Sequence, residues 1–79
     1  MLNNDASSIL RALSDTEKKI ITHMATGYSD KEIADIMQIA TGTVRNYLAV
    51  IKRKTGQKNR IMMVIFSLMH GLIALPVKN

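Results

Sequence analysis

The chain has 79 residues, 47% of them apolar, and eleven Lys and Arg against six Asp and Glu give a formal net charge of +5. A chain this short buries too small a fraction of its surface to hold a large catalytic cleft as well as a core, so an enzyme is not expected. The absence of cysteine excludes disulfides and thiolate metal sites and fits a reducing cytoplasm.

The charge is unevenly placed. Residues 1–40 carry four basic and six acidic side chains, a balance of −2, whereas residues 41–79 carry seven basic side chains and no acid. An anionic partner meeting the second half is the expectation. Only Tyr28, Tyr47 and Phe66 are aromatic, so the core is predicted to be aliphatic and methionine-rich.

Residues 1–12 read as a tail, disordered to about Ser7, with Ile9 and Leu10 able to pack a turn of helix beyond it. The tail lacks a basic region followed by an apolar run, so no signal peptide is expected. Ser14 and Glu17 have the spacing of a capping box and open a helix over about 15–26. Asp15 and Glu17 in its first turn suit the helix dipole, Ile20, Ile21, Met24 and Ala25 are its inward face, and Gly27 closes it. Lys18, Lys19 and His23 form a solvated outer face.

A second capping box, Ser29 with Glu32, opens a short helix over about 30–37, whose predicted buried face is Ile33, Ala34, Ile36 and Met37. Gln38, Ile39 and Ala40 form a turn, with Ile39 as the apolar plug. Thr41 or Thr43 is predicted to cap a third helix over about 42–55. In that helix Val44, Tyr47, Leu48 and Ile51 recur at i, i+3, i+4 and i+7, one apolar stripe. Arg45, Asn46, Ala49, Lys52 and Arg53 occupy the rest of the cylinder, a face with cations, an amide and no acid. Two helices joined by a tight turn, with such a face on the second, make a helix-turn-helix suited to a polyanion.

Gly56 ends the third helix, and a fourth over about 59–70 starts from Asn59 and stops before Gly71. Its Met62, Ile65, Phe66 and Met69 make a stripe that a domain of this size cannot bury entirely, so it is predicted to be a partner surface. Ile9 and Leu10 folding back would cover the same stripe. The apolar run from Ile61 to Leu75 is about fifteen residues, short of the ~20 that span a bilayer, so no membrane partner is expected. Residues 76–79 are a C-terminal tail.

The pattern resembles the LuxR-type (GerE-like, NarL-like) DNA-binding domain of bacterial transcription regulators. The matching positions are Leu13-Ser14 with Glu17, Gly27, Ser29, Lys31-Glu32-Ile33-Ala34, Ile39, Thr43-Val44-Arg45, Ile51, Lys54, Gly56, Arg60 and Gly71-Leu72-Ile73. They cover about sixty residues, nearly all of 13–75, and imply an all-α, four-helix fold. Four positions depart from the family pattern: Thr55 stands for a usual leucine, Tyr47 for a histidine, Val50 for an asparagine and Gln57 for an apolar residue. They bear on affinity and half-site sequence more than on the fold. The resemblance implies a sensing module ahead of this domain in most relatives, and residues 1–12 are not expected to form one.

The resemblance implies double-stranded DNA as partner, with the third helix in the major groove. Arg45 is then suited to the guanine O6 and N7 acceptors, Asn46 to adenine and Ala49 to a thymine methyl. Lys31 is implied as a phosphate contact, and Thr41, Thr43, Tyr47, Lys52, Arg53 and Lys54 are expected to serve the backbone, which positions without reading sequence. The stripe of Met62, Ile65, Phe66 and Met69 is implied as a homodimer seam, and RNA polymerase or another regulator as a further partner. The rival reading is a helix-turn-helix protein that pairs with a larger regulator through the last helix without touching DNA. Catalysis finds no support, because no histidine lies beside an acid at useful spacing and Gly42, Gly56 and Gly71 are isolated; no metal or cofactor is expected.

Overall fold

A computed structural model describes residues 13–74; the tail expected over 1–12, with Ile9 and Leu10, and the tail 76–79 lie outside the described residues. Four helices follow in order: α1 (Asp15–Thr26), α2 (Asp30–Met37), α3 (Thr41–Thr55) and α4 (Arg60–Met69). The fold is all-α, with no strand among the described residues. α1 packs on each of the other three, α3 packs on α2, and α4 packs on α3.

Both capping boxes form. In the first, the Glu17 N–H donates to Ser14 Oγ at 3.1 Å and the Ser14 N–H donates to Glu17 Oε1 at 2.8 Å. Ser29 and Glu32 repeat the pair at the start of α2. Each box satisfies two backbone or side-chain groups that a bare helix end leaves open. α1 then turns away through Gly27 at φ 102°, a left-handed conformation that glycine adopts without steric cost.

The core is aliphatic and methionine-containing: Leu13, Ile20, Ile21, Met24, Ile33, Ala34, Val44, Ile51, Met63, Leu72 and Ile73 are buried, with Ile39, Tyr47, Leu48 and Phe66 packed around them. Ile36, expected on the buried face of α2, is 47% exposed. The reason is angular: with Ile33 and Ala34 pointing into the core, Ile36 falls on the flank of a 3.6-residue helix. After α4 the chain reverses at Gly71, φ 69°, so that Leu72 and Ile73 close the base of the core.

Two buried hydroxyls are satisfied locally. Thr55, at the usual leucine position, donates to the Ile51 carbonyl at 2.9 Å, and Ser67 donates to the Met63 carbonyl at 2.7 Å. Packing at the base of α3 is therefore kept without the leucine, since each polar atom turns back on its own helix.

Among the described residues Glu17 is the buried charged side chain. Its carboxylate takes the Lys54 ammonium at 2.9 and 3.1 Å, linking the first turn of α1 to the last turn of α3. Burial pushes its pKa up, but the Ser14 N–H, the Lys54 ammonium and the Ser14 hydroxyl outweigh burial and hold the carboxyl below its ordinary value near 4.5. A lowered folded-state pKa stabilises the fold above the unfolded value, and that stability is lost as pH falls through the folded one. Glu17→Gln should cost ~1–3 kcal/mol near neutral pH by replacing the charge-assisted bonds between the carboxylate and the Lys54 ammonium with weaker neutral ones. It should also flatten the decline of stability below about pH 4.5, which denaturant melts at several pH values will check.

Candidate nucleic-acid interface

The turn between α2 and α3 is made without glycine. Gln38 takes the left-handed conformation at φ 59°, and the Ile39 N–H returns to the Ala34 carbonyl at 3.0 Å. Ile39 is thereby pushed against the core as a plug. The plug decides where α3 begins. Ala40, next in the chain, is its N-cap and offers no side-chain bond, so neither Thr41 nor Thr43 caps the helix as the sequence suggested. Thr41 is already inside the first turn.

The other helices differ only in the side chain at this point, where Ser14, Ser29 and Asn59 each accept the third N–H of their helix. As at the other helix starts, the first two N–H groups, here those of Thr41 and Gly42, have no acceptor among the described residues. They carry the positive end of the helix dipole.

Val44 and Ile51 are fully buried, which fixes the rotation of α3. Opposite them, Gly42, Asn46, Ala49 and Arg53 are exposed in a line. Arg45 and Lys52 are exposed on one flank. Thr43, Tyr47 and Val50 lie on the other and line a shallow apolar recess with Asn46. Thr43 and, at the start of α2, Lys31 are exposed, while Thr41 and Tyr47 are half-buried.

Lys54 stands apart from the other basic residues of α3, since its ammonium is on Glu17. In this position it holds α3 to α1 instead of lying on the outward face with Lys52 and Arg53.

One residue that sequence reasoning passed over enters here. Asp30 opens α2 and was legible only as an acid favoured by the helix dipole. Its carboxylate lies 3.6 Å from Arg45 Nε and 2.8 Å from Arg60 Nη2. Nothing in local spacing joins these three residues.

The last helix presents Ile61, Met62, Ile65, Leu68 and Met69 to solvent, while Met63 and Ser67 are buried. Phe66, expected in the exposed stripe, is half-buried; it packs against the core and its ring lies 4.5 Å from that of His70. The apolar face is centred on Ile65, one step round the helix from where the four-residue stripe put it.

Two helices joined by a plugged turn, the second showing an acid-free cationic face, define a helix-turn-helix domain. Residues 11–67 match the family of bacterial regulatory proteins called the luxR family, and the chain belongs to it. That family is one of regulators, not of catalysts. The chain is 43% identical to the transcriptional regulatory protein DesR of Bacillus subtilis over 60 residues, covering 76% of this chain and 30% of DesR. It is 48% identical over 54 residues to the probable HTH-type transcriptional regulator GfsR of Streptomyces halstedii, covering 68% of this chain and 22% of that protein. It is 38% identical over 72 residues to the HTH-type quorum sensing-dependent transcriptional regulator VjbR of Brucella ovis, 91% of this chain and 28% of VjbR. The chain thus spans less than a third of the length of these relatives. Among the described residues no helix is long and apolar enough to cross a membrane.

Lys52 and Lys54 should separate in denaturant melts. Lys54→Ala should lower stability measurably by stranding the Glu17 carboxylate, whereas Lys52→Ala should stay within ~0.5 kcal/mol of wild type.

Proposed function

We propose that the chain is a sequence-specific, DNA-binding transcription regulator that lays α3 in the major groove and pairs as a homodimer through α4. The observation that carries this reading is the outward side of α3: Arg45, Asn46, Ala49, Lys52 and Arg53 are all exposed, and residues 41–79 contain no acid. A protein that only bound another regulator would have no need of that surface. The relatives' printed descriptions as transcriptional regulators point the same way.

Arg45 and Asn46 are the base readers, with Ala49 against a thymine methyl. Thr43, Lys52, Arg53 and Lys31 serve phosphates, joined by Thr41, Tyr47 and the open N–H groups at the start of α3. Lys54, engaged by Glu17, supports the reading helix and contributes less directly. The face of Ile61, Met62, Ile65, Leu68 and Met69 on α4 is apolar and exposed, up to 76% at Met69, and a second copy placed across it would set two reading helices on neighbouring half-sites.

Gel-shift titrations across salt test the electrostatics. Neutralising several phosphates makes binding fall steeply as salt rises, and a flat response would favour the regulator-binding alternative. Arg45→Ala should cost ~1–3 kcal/mol and relax preference at one base pair, while Lys52→Ala weakens all sequences alike. Met69→Glu should shift the protein toward monomer in sedimentation velocity, and an unchanged mass would count against the seam. Phe66 is the poorer probe, since half of it belongs to the core.

A further inference from the structure

Arg45 carries the greatest burden of the reading above, and it is a long, exposed side chain, 69% accessible. Left to itself such a guanidinium samples many rotamers, and beside DNA the nearest strong acceptors are phosphates, which carry no sequence information. A reader of guanine therefore gains from a device that aims it inward and keeps it off the backbone.

Asp30 has the geometry of that device. Its Oδ1 accepts from Arg60 Nη2 at 2.8 Å, which ties the carboxylate to the first turn of α4. Its Oδ2 is left for Arg45, 3.6 Å from Nε. The Asp30 side chain is only 21% accessible, so it is seated against protein, whereas the arginine it meets is not. Engagement through Nε leaves both terminal nitrogens of the guanidinium free, and an end-on pair of N–H groups is what guanine O6 and N7 accept. The carboxylate also repels phosphate, so the position that steadies Arg45 is one where a backbone oxygen is unwelcome.

We infer that Asp30 is the positioning residue for Arg45, anchored by Arg60, and that it raises sequence discrimination at the expense of general affinity for DNA. The inference rests on the proposal that Arg45 reads a base. Removing the charge should have opposite effects on two kinds of duplex: sequence-independent binding tightens because a negative charge near the backbone is gone, while preference for the best sequence weakens because Arg45 is no longer aimed. A residue that merely held the fold would not split the two.

The test is a double-variant cycle read by fluorescence anisotropy. Wild type, Asp30→Asn, Arg45→Ala and the double variant are each titrated with two duplexes, one selected from a random pool by the wild type and one of the same length with its sequence scrambled. Asparagine keeps a carbonyl oxygen for Arg60, and Asp30→Ser, which lacks it, is run in parallel so that the result does not hang on one side chain. For Asp30→Asn the expected result is tighter binding to the scrambled duplex and a ratio of affinities lowered about two- to five-fold, the range for an exposed ion pair. In the Arg45→Ala background the same change should leave the ratio where it was. Two outcomes overturn the inference alone: Asp30→Asn shifting both duplexes equally, or a loss of ratio that persists without Arg45. A wild type that ignores every duplex at low ionic strength overturns the DNA-reading proposal as well.

Discussion

The rotation of α3 about its own axis is the constraint on which the rest depends. Val44 and Ile51 are fully buried in one core cluster with Ile33 and Ala34 of α2 and the inner line of α1, and that burial allows one orientation only. At 3.6 residues per turn, sinking this stripe compels Asn46, Ala49 and Arg53 to the opposite side and Arg45 to the flank beside α2. A turn by one residue would put a guanidinium in an aliphatic core, where an unpaired charge costs several kcal/mol. The cationic face is thus held outward by the hydrophobic one.

Acids in the first forty residues serve this arrangement from the other side. Glu17 is spent twice, once on the Ser14 capping box and once on Lys54, so a single carboxylate both starts α1 and fastens the end of α3 to it. Asp30 is likewise shared, between Arg60 and Arg45. The separation of charge along the chain, acidic in the scaffold and wholly basic from residue 41 onward, therefore becomes in three dimensions a set of short bridges plus a surplus of cations facing solvent. That surplus gives the outward face a positive potential suited to an anionic polymer.

α4 links the two surfaces. Its first residue, Arg60, holds Asp30, while its outer face offers Ile61, Ile65 and Met69. Its inner face is secured by Met63 and by Ser67, whose carbonyl receives the returning Leu72 N–H at 2.8 Å. A helix fastened in this way can expose a broad apolar face and remain folded. The face is therefore available to a partner without exposing the domain's own core.

Much of this was legible in the order of residues. Helix starts at Ser14, Ser29 and Asn59, helix ends at Gly27 and Gly56, and the buried line of Ile20, Ile21, Ile33, Val44 and Ile51 depend on contacts within one or two turns, where spacing alone carries the information. The cationic side of α3 followed, because periodicity that assigns the inside assigns the outside too. What spacing could not reach was settled by packing between elements. The seating of Ile39 made Ala40, and neither Thr41 nor Thr43, the cap; the fit of α2 left Ile36 exposed; and α4 rolled far enough to draw Phe66 inward. Lys54 and Asp30 acquired their partners in the same way, because a long charged side chain pairs with whatever the fold brings near, and nothing in its own neighbourhood along the chain announces which group that will be.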